Sequence, residues 1–170
     1  MGIMSFIKEA GEKLFGHKQT EAAAQEAQAA PDNGELLAKA RAANEKAAAA
    51  IEAYVATQNL SAAGLQLEFD GGTATVTVSG VAPDQATKEK ILLCCGNVEG
   101  VAHVNDMMTV AEPADESQFH TVVRGDTLSA IAKHYYGNAN LYPKIFEANK
   151  PMLSNPDKIY PGQLLRIPAA

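Results

Sequence analysis

Residues 119–168 read FHTVVRGDTLSAIAKHYYGNANLYPKIFEANKPMLSNPDKIYPGQLLRIP, and this stretch decides the fold of the C-terminal part of the chain. A short apolar strand comes first. Gly125 permits the turn that follows it, and Asp126 or Thr127 is suited to cap the next helix. Apolar residues then recur at helical spacing in two short stretches, which are separated at Gly137. We therefore expect a strand followed by two short helices.

The end of the same stretch returns the chain to its first strand. Residues 160–163, YPGQ, form a Pro-Gly turn into the apolar residues 164–167. The first and last strands can then pair antiparallel beneath the helices, which predicts a βααβ module. The elements V-x-x-G-D-T-L, G-N, I-x-x-A-N and I-Y-P-G-Q-x-L-x-I-P follow in this order, and together they resemble the LysM domain.

Similarity to LysM implies a shallow groove that holds N-acetylglucosamine units of peptidoglycan or chitin. The groove would lie between two loops, and its candidate glycan-binding residues are Arg124, Gly125, Asp126, Thr127, Leu128, Asn155, Pro156, Asp157, Lys158 and Ile159. A structural interpretation of the same loops stands beside this one. Turns and a helix cap need Gly125, Asp126 and Pro161 whether or not a sugar binds.

The region before this module, residues 35–111, predicts a second domain. The expected elements are a helix over 35–58, strands over 65–69 and 74–78, a helix over 83–95 and a strand over 101–110. This αββαβ order, with D-G-G-T-A-T-V in the hairpin and G-N-V-E-G-V-A-x-V after the second helix, resembles the BON domain. Residues 112–118 join the two domains as a short polar linker. The predicted fold class is α+β.

The start of the chain, residues 1–16, reads MGIMSFIKEAGEKLFG and predicts a short amphipathic helix. Its apolar stripe consists of Ile3, Ile7, Ala10 and Leu14. Two lysines on the helix are balanced by two glutamates, so docking onto the protein's own BON core is favoured over binding to a membrane surface. Residues 17–34 are rich in Ala, Gln and Glu and are interpreted as a linker that ends in a turn.

Composition excludes several kinds of function. The chain has 170 residues, a net charge of -6 and a pI near 5.2, with no basic stripe for a phosphate backbone, so no nucleic-acid partner is expected. The adjacent Cys94 and Cys95 point in different directions on a helix and suit neither a disulfide nor a zinc site. The four histidines fall in separate elements, and no nucleophile elbow or phosphate-binding glycine loop is present, so we expect no enzyme.

The same features bear on the compartment. Charged residues interrupt the apolar run near the start before it reaches the length of a secretory signal, and no segment is long enough to span a membrane. Together with the lack of a disulfide framework, this predicts a cytoplasmic protein. We also expect a monomer.

The complete layout is similar to a bacterial family of cytoplasmic potassium-binding proteins. The pattern M-G-x-x-x-F-[IV]-K-x-A-G-E-K-L is followed by BON and then by LysM, and the chain departs from that family chiefly in the Ala-rich stretch 20–56. Resemblance to the family implies a sensor or buffer that binds K⁺ as its cofactor and becomes more compact. It also implies that main-chain carbonyls of the N-terminal segment and of the loop after the second BON helix hold the ion. By position these carbonyls belong to Ile7, Ala10, Glu12, Gly96, Val98 and Gly100.

The alternative function is a glycan-binding module in which LysM holds peptidoglycan or N-acetylglucosamine oligomers and BON docks a partner or a membrane. Neutral carbonyl rings suit K⁺, whereas Ca²⁺ and Mg²⁺ favour carboxylate cages, and the sequence contains no D-x-D-x-D-G loop. The residues alone also allow a purely structural interpretation, in which Gly96 and Gly100 end a helix and begin a strand.

Overall fold

The computed structural model describes residues 2–170, and its mixture of helices and strands confirms the α+β class. The N-terminal region contains β1 (Gly2–Ser5), α1 (His17–Ala29), α2 (Gly34–Thr57), β2 (Ala63–Asp70), β3 (Thr75–Asp84), α3 (Gln85–Gly96) and β4 (His103–Glu112). The C-terminal region contains β5 (Gln118–Thr121), α4 (Leu128–Tyr136), a 3₁₀ turn (Ala139–Leu141), α5 (Tyr142–Ala148) and β6 (Leu164–Ile167).

Four strands of the N-terminal region form one sheet in the order β1-β4-β3-β2. Strands β3 and β4 are parallel, and the other two pairings are antiparallel. Alternate residues of the central strands point toward α2 and α3, as period-2 geometry requires. The fully buried side chains of this core include Ile51, Val55, Val76, Val78, Ile91, Val104 and Met108. The predicted αββαβ order from α2 to β4 is present.

The C-terminal module has the predicted βααβ order, with β5 and β6 paired antiparallel. Of the two candidate helix caps, Thr127 is the one used, because its hydroxyl accepts the Ala130 N–H at 3.1 Å. Gly137 ends α4 in the left-handed conformation, φ +73°. The core of the module includes Val122, Leu128, Ile131, Ala132, Ile145 and Leu165. All of these residues lie in or beside the strands and helices that the spacing of apolar residues predicts.

The neighbouring Asp126 stabilises the first turn of the module. Its carboxylate lies 2.8 Å from His120 Nε2 and accepts the Val123 N–H at 3.0 Å, while His120 Nδ1 lies 3.2 Å from the Tyr135 hydroxyl. The hydrogen bond from His120, followed by the one from Val123, lowers the pKa of Asp126. A lowered carboxyl pKa means that the contribution to stability is present above the unfolded-state pKa, about 3.9, and is lost as the pH falls through the folded-state value.

We therefore expect Asp126→Ala to lower the free energy of unfolding by about 1–2 kcal/mol at pH 7, because charge-assisted hydrogen bonds are lost. The difference from the wild type should shrink below about pH 4. Urea unfolding at pH 7 and at pH 3 measures both effects. Asp115→Ala, at an exposed position between the domains, is the control and should change little at either pH. An equal loss at both pH values would contradict the assignment.

The predicted N-terminal helix is wrong for the part of residues 1–16 that the structure describes, which begins at residue 2. Residues 2–5 form β1, an edge strand that pairs with β4, and the Phe6 N–H continues the contact to the Ala102 carbonyl at 2.8 Å. Ile3 is 71% exposed instead of docked on the core. A short helix containing a glycine is marginal on its own, whereas the free edge of β4 offers unpaired backbone groups that a strand satisfies.

The predicted linker over 17–34 is also wrong, because most of it forms α1. This helix packs against α2 through small residues, and Ala23, Ala24 and Ala27 are buried. The Asn33 side chain caps α2 by accepting the Glu35 and Leu36 N–H groups. Alanine has the highest helix propensity and permits close helix contact, so a composition interpreted as a linker forms a helical hairpin instead.

None of the helices within residues 2–170 combines the length and the apolar character needed to cross a membrane.

Candidate functional site

The N-terminal segment, residues 7–12, lies directly on the loop of residues 96–100. The Gly100 N–H donates to the Lys8 carbonyl at 2.6 Å. The Glu12 N–H donates to the Asn97 carbonyl at 3.0 Å, and the Glu99 N–H donates to the Glu12 carbonyl at 2.9 Å. Glu12 and Val98 also form an isolated parallel bridge. The two segments that the family resemblance selects, more than 80 positions apart in the sequence, are therefore in contact through their backbones.

Glycines permit this close approach. A Cβ on Gly11, whose φ is +118°, would collide with the Asn97 carbonyl. A Cβ on Gly96 would collide with the Phe6 ring, and one on Gly100, at φ +99°, would collide with the Cβ of His17. Only residues without a side chain can occupy these positions without displacing the contacts. Gly96, Gly100 and Gly11 were noted in the sequence for other reasons, as glycines at the ends of elements, whereas His17 was not predicted to contribute.

The six predicted carbonyl oxygens divide into two groups. Three of them accept one backbone hydrogen bond each and retain a second lone pair: Ile7 from Ala10 at 3.0 Å, Glu12 from Glu99 at 2.9 Å and Val98 from Val101 at 3.1 Å. Within residues 2–170, the carbonyls of Ala10, Gly96 and Gly100 accept no hydrogen bond. All six oxygens therefore have lone pairs available for a ligand.

The unpaired carbonyls are chemically informative because Gly96 and Gly100 are buried residues. Buried backbone groups are nearly always paired, and an unpaired carbonyl carries partial negative charge, especially where a helix ends. A monovalent cation of low charge density fits such neutral oxygens. In the range 2–170, no cluster of three or more His, Cys, Asp or Glu side chains is arranged to hold a metal. Neutral carbonyl oxygens are typical ligands of K⁺, whereas divalent ions favour carboxylate oxygens.

Asn97 connects this loop to the C-terminal module, a role that no sequence pattern predicted. Its side-chain amide donates to the Leu164 carbonyl and accepts the Leu164 N–H, both at 2.9 Å, so it pairs with the edge of β6. A second link is the ion pair between Arg166 and the buried Glu89. The N-terminal segment also packs closely on the C-terminal module, because a Cβ added to Gly162 would lie only 2.8 Å from the Cβ of Ala10. The N-terminal segment, the 96–100 loop and the C-terminal module thus meet at one junction.

Comparison with known proteins agrees with this architecture. The model of the BON domain matches residues 43–112, and that of the LysM domain matches residues 120–168. The potassium binding protein Kbp of Escherichia coli O6:H1 (strain CFT073) is 45% identical over 168 residues, which cover 99% of each chain. The chain belongs to the Kbp family. An uncharacterized protein of Deinococcus radiodurans is 43% identical over 75 residues, 42% of this chain and 29% of that protein.

A more local similarity lies with an enzyme. Esterase Rv1288 of Mycobacterium tuberculosis is 50% identical over 48 residues, but these make up 28% of this chain and 10% of the esterase. Kbp, which matches the chain along nearly its full length, is named as a binding protein.

The two cysteines of this Kbp-family chain are buried. Burial raises the pKa of the Cys94 thiol to about 12, so this thiol is protonated and poorly reactive at neutral pH.

The candidate glycan loops of the LysM domain have mixed environments. Leu128 is buried in the LysM core, and Ile159 packs against the same core. Asp126 is engaged by His120 and Val123. Pro156 is half-buried, and the remaining candidates are exposed: Arg124, Gly125, Thr127, Asn155, Asp157 and Lys158. Five of the ten residues therefore have a structural role, since the Thr127 hydroxyl also caps α4 and the Asn155 side chain accepts the Asp157 N–H at 2.9 Å. The exposed residues are accessible to a ligand.

Proposed function

We propose that this protein binds K⁺ reversibly through the backbone carbonyls of the N-terminal segment and the 96–100 loop, and that it acts as a cytoplasmic potassium sensor or buffer. The observation that carries the proposal is the hydrogen-bonded contact of these two segments, which leaves the Ala10, Gly96 and Gly100 carbonyls unpaired. Membership in the Kbp family supports it, because the relative that covers 99% of the chain is named for potassium binding.

The mechanism is a shift between conformations. The ion would bridge carbonyls from two segments that otherwise hold each other through a few backbone hydrogen bonds. Binding would therefore favour the form in which these segments are in contact, and the contact of Asn97 with Leu164 would transmit this preference to the LysM domain. The expected result is a more compact protein when K⁺ is bound.

The direct test is thermal unfolding of the complete chain in Tris buffer that lacks potassium, titrated with KCl or NaCl at equal ionic strength. A ligand that binds only the native state adds about 2.7 kcal/mol at 100 times its dissociation constant. For a chain of this size, the melting temperature should rise by roughly 5–10 °C at this KCl concentration, and it should keep rising with the logarithm of the KCl concentration, whereas NaCl should have no such effect. Identical curves in the two salts would refute a selective potassium site.

A variant pair locates the site. Gly11→Ala introduces a Cβ against the Asn97 carbonyl and should separate the N-terminal segment from the 96–100 loop. We expect the KCl concentration that gives a fixed rise in melting temperature to increase at least roughly tenfold, a loss of about 1.4 kcal/mol in binding free energy. Gly137→Ala is the matched control, since this glycine also has positive φ but nothing lies within 4 Å of its added Cβ. An unchanged potassium response in Gly11→Ala would exclude this site.

Glycan binding by the LysM domain is a second candidate function, supported by the match of residues 120–168 and by the exposed polar residues of its two loops. It does not compete with the ion for the same groups. Co-sedimentation of the complete protein with insoluble peptidoglycan tests it, and Asn155→Ala combined with Asp157→Ala should reduce the bound fraction. Equal recovery with and without peptidoglycan would remove this candidate.

A further inference from the structure

A cavity of about 230 Å³ lies where the N-terminal segment, α2, α3 and the LysM domain meet. Its apolar wall consists of Leu93, Cys94, Met152 and Leu153. Clefts between domains that combine an apolar wall with a few polar groups are preferred places for small-molecule sites. At roughly 30 Å³ for each water molecule, the cavity has space for a compound of about eight non-hydrogen atoms.

The polar side of the cavity presents groups that the fold does not use. Glu12 supplies a carboxylate, and Lys158 supplies an ammonium group. Within the described range 2–170, neither charge has an oppositely charged side chain within 4.0 Å. The hydroxyl groups of Tyr54 and Tyr160, in the same lining, make no side-chain hydrogen bond there. The cavity thus offers one charge of each sign and two free phenol hydroxyls.

The environment of the two tyrosines supports a shared cavity. Burial, followed by the charge of the Glu12 carboxylate, raises the pKa of Tyr160 to about 12. Burial also raises the pKa of Tyr54, with additional contributions from Cys94, Glu12 and Tyr160. Both phenols therefore stay protonated at neutral pH and can donate hydrogen bonds. Glu12, Tyr54 and Tyr160 all line this one cavity.

We propose that this cavity binds a small zwitterion of the amino acid or N-methylated amino acid class. The ligand's cationic end would face Glu12 and the tyrosine rings, and its carboxylate would face Lys158. A ligand with one positive and one negative charge pairs both side chains, whereas a simple anion or cation leaves one of them unpaired. Aromatic rings beside a carboxylate favour an alkylated ammonium group in particular. The apolar wall accommodates the carbon atoms between the charges.

Binding of a zwitterion in this cavity does not require K⁺. The coupling between zwitterion binding and K⁺ binding, however, rests on the proposed function. Glu12 lines the cavity, and its carbonyl also belongs to the proposed potassium site. Asn97 also lines the cavity, and its carbonyl accepts the Glu12 N–H. A zwitterion that holds Glu12 in place should therefore strengthen K⁺ binding, and K⁺ should strengthen zwitterion binding by the same factor.

Isothermal titration calorimetry of the complete chain with glycine betaine tests the site, first in NaCl without potassium. We expect saturable binding, and Lys158→Gln should weaken it at least roughly tenfold because the ligand's carboxylate loses its partner. Tyr160→Phe should weaken it less. Lys133→Gln, at an exposed lysine of the same domain that does not line the cavity, should bind like the wild type. Propionate and tetramethylammonium, which carry one charge each, should bind much more weakly.

Absence of saturable binding in NaCl, equal binding of the single-charge compounds, or an unchanged affinity in Lys158→Gln would overturn the proposed site. Repeating the titration in KCl then tests the link. Binding in NaCl that does not strengthen in KCl would overturn the coupling while leaving the cavity site standing. A failure of the potassium proposal therefore remains distinguishable from a failure of the zwitterion site.

Discussion

Glu89→Ala is expected to lower the free energy of unfolding by about 3–5 kcal/mol at pH 7, since it leaves a largely buried cation without its partner. Glu89 is 2% exposed and is paired with Arg166 of the LysM domain, whose side chain is 12% exposed. The same carboxylate accepts the Ser117 N–H at 2.8 Å and the Gln85 amide at 3.1 Å. One side chain thus joins BON, the linker and LysM, and its removal leaves several polar groups unpaired.

Urea unfolding followed by far-UV circular dichroism measures this loss. Glu26→Ala is the matched control, because Glu26 also lies on a helix and is paired with a lysine, Lys39, but both side chains are about half exposed. An exposed pair of this kind contributes about 1 kcal/mol or less. Similar losses in the two variants would show that the Glu89–Arg166 pair does not stabilise the domain junction.

The same carboxylate sets a pH dependence. Burial tends to raise the pKa of Glu89, but the hydrogen bonds from Ser117, Arg166 and Gln85 outweigh this effect and hold the pKa below its usual value. The stabilisation is therefore present above the unfolded-state pKa, about 4.3, and is lost as the pH falls through the folded-state pKa. The difference between wild type and Glu89→Ala should accordingly narrow below about pH 4.

Gly100→Val is expected to have the second large effect, a loss of about 3–5 kcal/mol in stability together with the loss of the potassium response. Valine at φ +99° is strained, which costs about 1–3 kcal/mol. Its side chain would also collide with His17 and approach the Phe15 ring, 3.3 Å from the added Cβ, and overpacking of this kind costs about 1–3 kcal/mol more. The displaced loop would lose the hydrogen bond from the Gly100 N–H to the Lys8 carbonyl.

Gly125→Val separates backbone strain from close contact. Gly125 has φ +93°, nearly the same as Gly100, but nothing lies within 4 Å of an added Cβ. The Gly125→Val variant should therefore lose only the stability that backbone strain costs, and it should still be stabilised by KCl. Thermal unfolding of both variants in KCl and in NaCl gives the two quantities together. Equal destabilisation of the two variants, or a full potassium response in Gly100→Val, would contradict the role assigned to the 96–100 loop.

Much of the fold could be predicted because its signals are local. Strands β2 and β3 follow from alternating apolar residues around Asp70-Gly71-Gly72, and helix α3 follows from Asp84, whose side chain caps it through the Thr87 N–H. In the LysM domain, Thr127 and Gly137 mark the two ends of α4. Each of these elements is specified by residues within a few positions of one another, which is the range that sequence patterns report reliably.

The candidate site could be predicted only in part. Family resemblance selected the two segments, and hydrophobic periodicity alone would have placed the first of them on a helix. Backbone ligands leave no side-chain signature, so Asn97 was not identified as a contributor, and Gly11 was identified only as a break in the predicted helix. A signal was nevertheless present. Both residues are of types that accept unusual backbone conformations or pair with backbone groups, and they lie beside predicted carbonyl positions.

By itself, the sequence determined the order of elements in BON and LysM and most of the hydrophobic cores, because each depends on neighbouring residues and on a period of 2 or 3.6. Only the tertiary structure decided that residues 2–5 form an edge strand, that α1 packs on α2, and that Asn97 pairs with Leu164. Each of these depends on a partner distant in the chain. Whether a marginal segment becomes helix or strand is decided by the partner that satisfies its backbone and buries its surface.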